Sequence, residues 1–180
     1  MIRLAKLGFA IVVVAVIAAG FAVLFRGLLS AAVGWFGGSD IVTMIANLPR
    51  WARIALPAVG GLGAGFVGLA IAKQRGASGV GYVMEAIVLG RARIPLVRSM
   101  LQALASWFAI ATGNSLGREG PLIQFGAAAG EGARRWLRLD DALAPLVLAA
   151  GVAAGFAGAY NAPIAATLFV LEVVTGVVVL

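Results

Sequence analysis

From Leu7 to Phe25 the chain runs without a charged side chain. At about 1.5 Å of rise per residue, a helix over that run is long enough to cross the roughly 30 Å hydrocarbon core of a bilayer. In hydrocarbon every backbone N–H and C=O must be satisfied internally, so such a run leaves only helices or closed barrels. A signal peptide has a shorter apolar region and a small-residue cleavage site, whereas here the apolar run resumes after Arg26 and continues through Leu28 to Phe36. The pattern predicts one long, tilted, uncleaved helix after a short basic start, Met1 to Lys6. Gly37-Gly38-Ser39-Asp40 then makes the first turn.

The rest of the chain repeats this character. Hydrophobic residues make up 62% of it and charged ones 12%, against about 25% charged for a soluble domain. The reading is an all-α polytopic integral membrane protein. With no cysteine and no histidine, disulfides, thiolate chemistry and the usual zinc ligands are excluded, and neither metal nor cofactor is expected. A net charge of +7 would suggest nucleic acid in a soluble protein. Here the basic residues sit mostly between apolar runs and act as topology signals, so no nucleic-acid partner is inferred.

A second span runs from about Trp51 to Ala72. It contains Gly63-Ala64-Gly65-Phe66-Val67-Gly68, which matches the dinucleotide fingerprint G-x-G-x-x-G. No strand precedes the match, so it reads as a decoy, with small residues letting neighbouring helices approach. Lys73, Arg75, Arg91, Arg93 and Arg98 follow. They share a side with Arg3 and Lys6 if two crossings intervene, leaving only Arg50 and Arg53 opposite, which places the N-terminus in the cytoplasm. Between those charges, Gly76-Ala77-Ser78-Gly79-Val80-Gly81 leads into a run from Tyr82 to Leu89 that is too short to span. It predicts a half-helix with Ser78 as N-cap and Glu85 complementing the dipole in its first turns. Pro95 to Ala111 forms a further apolar segment, broken at Thr112-Gly113-Asn114-Ser115.

After that break comes Gly117-Arg118-Glu119-Gly120-Pro121, an adjacent cation and carboxylate between apolar runs. An ionisable residue at membrane depth costs about 2.5–3.5 kcal/mol even on the gentler scales, so by default it marks a pathway. Proline is tolerated in a first helical turn, so the pentapeptide predicts a helix start with a carboxylate in that turn. Free N–H groups and the positive dipole end make such a start an anion site, which Glu119 fills when nothing else does. The plainer reading stands beside it: Glu119 only complements the dipole and Arg118 snorkels to a headgroup. The helix ends among Glu131 to Asp141, where Arg134, Arg135 and Arg138 face Asp140 and Asp141 as an ordinary solvated or headgroup-level end. Apolar runs follow at Ala142 to Phe156 and Ala162 to Leu180. Between them Gly158 to Pro163 reads as a break and restart, with Asn161 capping and Pro163 in the first turn.

Three breaks share one design, a small or polar residue followed by an apolar helix starting at membrane depth. Convergent broken helices are how transporters hold an anion near the midplane. With these motifs the sequence resembles the N-terminal half of the chloride-channel (CLC) family of anion channels and proton-coupled antiporters. Gly117 to Pro121 matches the family's G-[KR]-E-G-P signature, in the setting Gly113-Asn114-Ser115-Leu116 before and Gln124-Phe125-Gly126-Ala127 after. A second match joins Ala153-Ala154-Gly155-Phe156, Asn161-Ala162-Pro163-Ile164-Ala165 and Leu168-Phe169-Val170-Leu171-Glu172. The resemblance covers essentially all of residues 1–180 and implies a partial CLC transmembrane domain, its first inverted repeat, made of broken and half-length helices. It implies Glu119 as the gating glutamate and N–H groups around Arg118 to Gly120 as the outer anion donors. Ser78, within Ala77-Ser78-Gly79-Val80-Gly81, aligns with the serine that donates to a central chloride. It further implies a small anion as the transported species, a homodimer at full length, and a bacterial inner membrane.

Three departures qualify what the resemblance implies. Gly81 stands where the family's turn has proline, which leaves an extra N–H and a looser helix start. Glu172 and Val173 occupy the place of two adjacent acids in antiporters, so the internal proton-transfer glutamate is a valine. Glu172 itself reads as a carboxylate satisfied by helix N–H groups more than as a proton relay. The second repeat, which contributes a further half-helix and a tyrosine to the pore, has no counterpart here, so the expectation is a piece of a longer protein, with a half-length protein that pairs with another half as the alternative. The leading function is a glutamate-gated chloride pathway, a channel or uncoupled transporter ahead of a chloride/proton antiporter. A non-conducting half-subunit remains a competing class, as does anion selectivity for nitrate or fluoride. An enzyme is disfavoured, since most acids lie near span ends and no His or Cys offers acid–base or metal chemistry.

Overall fold

The computed structural model describes residues 2–73, 79–90 and 93–174. Helix α1, Ile2–Trp35, is the long helix expected from the uncharged run. It is followed by a short α2, Ile41–Asn47, and by α3, Arg50–Ala72. Then come α4, Val80–Leu89; α5, Leu96–Ala111; α6, Glu119–Trp136; α7, Ala144–Tyr160; and α8, Pro163–Phe169. A widened helical turn over Val170–Val174 closes the described chain. There is no strand among the described residues, and the protein is all-α. Three segments, Arg3–Trp35, Arg50–Ala72 and Asp141–Tyr160, are long and apolar enough to cross a membrane. This is an integral membrane protein.

Helix α6 is the most enclosed element: Pro121 to Glu131 are buried without interruption. It packs against α7, α1, α5 and α4. Its contact with α7 is made backbone to backbone. A methyl group added at Gly126 would strike the Gly151 carbonyl, and one added at Gly151 would strike the Gly126 carbonyl. One turn away, Gly130 faces the Val147 carbonyl at 2.7 Å from the same imagined carbon, and Gly155 lies against the Leu122 carbonyl. Each helix therefore carries a G-x-x-x-G pair, Gly126/Gly130 and Gly151/Gly155, and close approach of this kind replaces the hydrophobic effect as the glue between helices in lipid. The sequence reading placed such approach on the glycines of α3. There Gly65 and Gly68 meet nothing within 4 Å, while Gly63 touches Phe108. The fingerprint itself lies in the interior of α3, a helix with no strand before it, as a decoy must.

Outward faces of α1 and α3 carry Val12, Val16, Val23, Trp51, Ile54, Leu62, Phe66 and Leu69, all exposed. In water such surfaces would drive aggregation; in hydrocarbon they are the preferred covering. The charge within α1 is also accounted for. Arg26 donates to the Gly158 carbonyl, at 3.1 Å, near the end of α7. A cation at a helix C-terminus satisfies an orphan carbonyl and complements the dipole.

Three local expectations need correction. Asn161 does not cap α8; it ends α7 in the left-handed conformation, φ 58°, a C-cap role that asparagine tolerates, and Ala162 precedes Pro163 at the start of α8. The break is thus confined to residues 161–162, and Gly158 to Tyr160 still belong to α7. Glu85 lies on an exposed face of α4 beyond its first turn, which contains no acid, so it does not complement the dipole there. The arginines at the end of α6 face inward as well as out. Glu131, 2% exposed, is held by Arg134 at 2.8 Å and Arg135 at 2.5 Å, and Arg134 also binds Asp141. Removing a partner from a buried pair of this kind costs about 3–5 kcal/mol, because the remaining charge is stranded.

Candidate functional site

Arg118 is the N-cap of α6, Glu119 its first residue, and Pro121 its third. No side chain caps this end. Pro121 has no N–H to satisfy, so the donors left by the first turn belong to Arg118, Glu119 and Gly120. The Glu119 carboxylate folds back over Gly117, so close that an added Cβ there would collide with it. The side chain is half-buried and also faces the Tyr160 phenol, at the end of α7. Arg118 is exposed and lines a cavity of about 460 Å3 with Arg26, Ser30, Ser39 and Asp40. The loop before α6 is pinned from behind: Asn114 Nδ2 donates to the carbonyls of Pro57 and Ala109, both at 3.1 Å.

The second half-helix start is brought against the same helix, α6. Ala77 and Ser78 lie outside the described residues, so Ser78's expected roles as cap and anion donor find no geometry here. Gly79 is the N-cap of α4, not Ser78, and its φ of 105° is a conformation that glycine adopts without strain. Val80 and Gly81 form the first turn. Gly79 N–H donates to Gln124 Oε1 at 3.1 Å. Gln124 is five residues beyond Glu119, or roughly 7.5 Å along α6 at 1.5 Å per residue. The residue of α6 that binds the start of α4 therefore lies about one and a half turns beyond Glu119. Of the third expected break, α8 does begin with proline and packs back on α7, whose Tyr160 end borders Glu119.

The start of α6 thus sets unpaired first-turn N–H groups, the kind of donor that suits a small anion, close to a carboxylate that lies over Gly117 and faces Tyr160. Among the described residues no group of three or more acidic, His or Cys side chains could hold a metal. The sequence alone does not single out Gln124, which stands there only within the setting of the Gly117 to Pro121 motif. Its one signal is that of a lone amide in an otherwise apolar and glycine-rich helix run.

Comparison with known proteins bears directly on this arrangement. The family model described as voltage gated chloride channel matches residues 60–179, a stretch that contains both half-helix starts. The chain belongs to the voltage-gated chloride channel family. A chloride channel protein called ClcB-like in Ralstonia nicotianae is 37% identical over 163 residues, covering 86% of this chain and 37% of that one. The voltage-gated ClC-type chloride channel ClcB of Yersinia pseudotuberculosis is 35% identical over 144 residues, 78% of this chain and 34% of its own. The ClcB of Salmonella typhimurium is 36% identical over 145 residues, with the same coverage. The chain thus spans about a third of the length of these chloride channel family relatives.

Proposed function

We propose that this chain supplies part of a chloride-selective pathway gated by Glu119. The observation that carries the reading is the Glu119 carboxylate lying over its own uncapped helix start, against Gly117. In this reading the carboxylate shares the helix start with the anion, and its displacement leaves the N–H groups of Arg118 to Gly120 to the ion. Membership of the voltage-gated chloride channel family, and relatives named as chloride channels, favour chloride as the anion. Ser78 remains a proposed inner donor on the strength of the motif alone. Val173 favours a channel or uncoupled transporter over a proton-coupled antiporter. The role is transport rather than catalysis, and the full-length protein is proposed to act as a homodimer.

Orientation follows from charge. Arg3 and Lys6 of α1 line one cavity with Arg138 and Asp140 beyond α6, and Arg93 lines another with Arg134 and Arg135. These basic groups gather at one end of the protein, and the positive-inside rule assigns that end to the cytoplasm of a bacterial inner membrane. Arg98, grouped with them in the sequence, is instead buried on α5.

The test is Glu119→Gln in the full-length protein, reconstituted in liposomes. Chloride efflux should rise and lose its dependence on pH, since the blocking charge and the titrating group leave together. Efflux that stays unchanged and pH-sensitive would reduce Glu119 to a dipole-complementing residue.

A further inference from the structure

We infer that Gln124 is a positioning residue for anion selectivity, holding the start of α4 against α6. Its side chain is fully buried, 0% exposed, and both ends of its amide are used. Oε1 accepts from Gly79 N–H at 3.1 Å, and Nε2 donates to Ser99 Oγ at 3.2 Å. Ser99, also 0% exposed, donates in turn to the Pro95 carbonyl at 3.2 Å. The direction of every bond is fixed. A backbone N–H can only donate, and the Ser99 proton is spent on Pro95, so its oxygen must accept. A flipped Gln124 amide would set donor against donor at Gly79. The network therefore has one arrangement, linking α4, α6 and α5.

The same contact has a familiar local form. In a capping box, the glutamate or glutamine three residues into a helix accepts the N–H of that helix's own N-cap. The third residue of α4 is Tyr82, which cannot do this, and no side chain of α4 caps its start. Gln124 performs the task from another helix. Gly81, in the first turn, lacks the stiffening a proline gives, and Gly79 has the widest conformational freedom of any residue. Val80 and Tyr82 pack the first turn of α4 against the core and Tyr82 donates to the Arg93 carbonyl, but no group of that turn holds the Gly79 N–H in place. The tie to Gln124 does, and because Gln124 shares α6 with Glu119, it sets the spacing between the gate and the second helix start.

This inference rests on the proposed anion pathway, so the experiment separates the two. Full-length wild type, Gln124→Met and Ser99→Ala would be reconstituted together. Chloride affinity, the nitrate-to-chloride flux ratio, amide exchange over α4 and thermal stability would be measured on each. Methionine keeps the volume and removes both hydrogen bonds; chloride affinity should fall about three- to tenfold, the fold-change expected for losing one net hydrogen bond. The flux ratio should shift and the first turn of α4 should exchange faster. Ser99→Ala, which leaves the acceptor but frees its other end, should shift all three in the same direction by less. Wild type without anion flux would defeat the pathway itself. A conducting wild type beside variants with unchanged affinity, ratio and exchange would defeat the positioning role alone, as would lowered stability with the ratio unmoved. If Gln124→Met does not fold, Ser99→Ala decides by the same readouts.

Discussion

A carboxylate resting over its own helix end competes with any anion for the same donors, and what it leans on decides how firmly it rests. Glu119 leans on Gly117, where no side chain intervenes. We predict that Gly117→Ala, which keeps the carboxylate but fills the space behind it, raises chloride efflux severalfold at neutral pH while leaving a pH dependence in place. Gln at 119 would remove both, so the two variants separate displacement of the gate from loss of its charge. Efflux equal to wild type for Gly117→Ala would mean that the carboxylate rests elsewhere. Ser78 is a weaker case. Its proposed role comes from the motif, and Ser78→Ala should lower chloride affinity about ten- to a hundredfold, as loss of a hydrogen bond to a charged partner does. Calorimetry on the full-length protein would measure this, and unchanged affinity would remove Ser78 from the central site.

At the scale of helices, the length of apolar runs made α1 and α3 legible to within a few residues, because hydrocarbon forces a helix wherever a run is long enough, and prolines with polar breaks marked α5 and α6. What composition could not carry was partnership. The G-x-x-x-G pairs of α6 and α7 are as plain in the sequence as the glycines of α3, but only the fold says which pairs face a backbone. The contrast is testable. Gly151→Ala puts a methyl group into the Gly126 carbonyl and should lower stability by about 1–3 kcal/mol, the usual cost of overpacking. Gly65→Ala on α3 meets open space and should be neutral, or stabilising by up to about 1 kcal/mol through helix propensity. Thermal unfolding in detergent compares them, and equal effects would mean that the α6–α7 contact is not backbone-tight. The short α2 escaped sequence reading because its signal is a cap, not a run. Asp40 accepts from Thr43 N–H at 2.9 Å while Thr43 Oγ1 accepts from Asp40 N–H at 3.1 Å. The Thr43 N–H chiefly holds the Asp40 carboxyl below its ordinary value. This contribution is present above that ordinary value and is lost as pH falls through the lowered one.

For the molecule as a whole, the proposed chloride pathway raises the question whether anion movement would drag protons with it, and the described carboxylates bear on it together. A proton travelling to Glu119 from the end proposed to face the cytoplasm needs a titratable relay. Val173 cannot serve. Glu172 beside it is exposed on the widened turn after α8. Glu131 is the one buried carboxylate among the described residues, and it sits on the same helix as Glu119, the proposed gate. It is bound by two guanidinium groups, and twelve residues of α6 separate it from Glu119, roughly 18 Å at 1.5 Å per residue. That is far beyond the reach of a single hydrogen bond, and the intervening α6 side chains, Leu122, Ile123, Phe125 and the alanines, carry no proton. Gln124 is an amide with both ends engaged. We therefore predict no net proton coupling. In liposomes of the full-length protein, a chloride gradient should drive anion flux without moving protons against their own gradient, as read by an internal pH dye. Uphill proton movement would overturn this, and repeating the measurement with Glu172→Gln and with Glu131→Gln would show which of the two carboxylates supplies the relay.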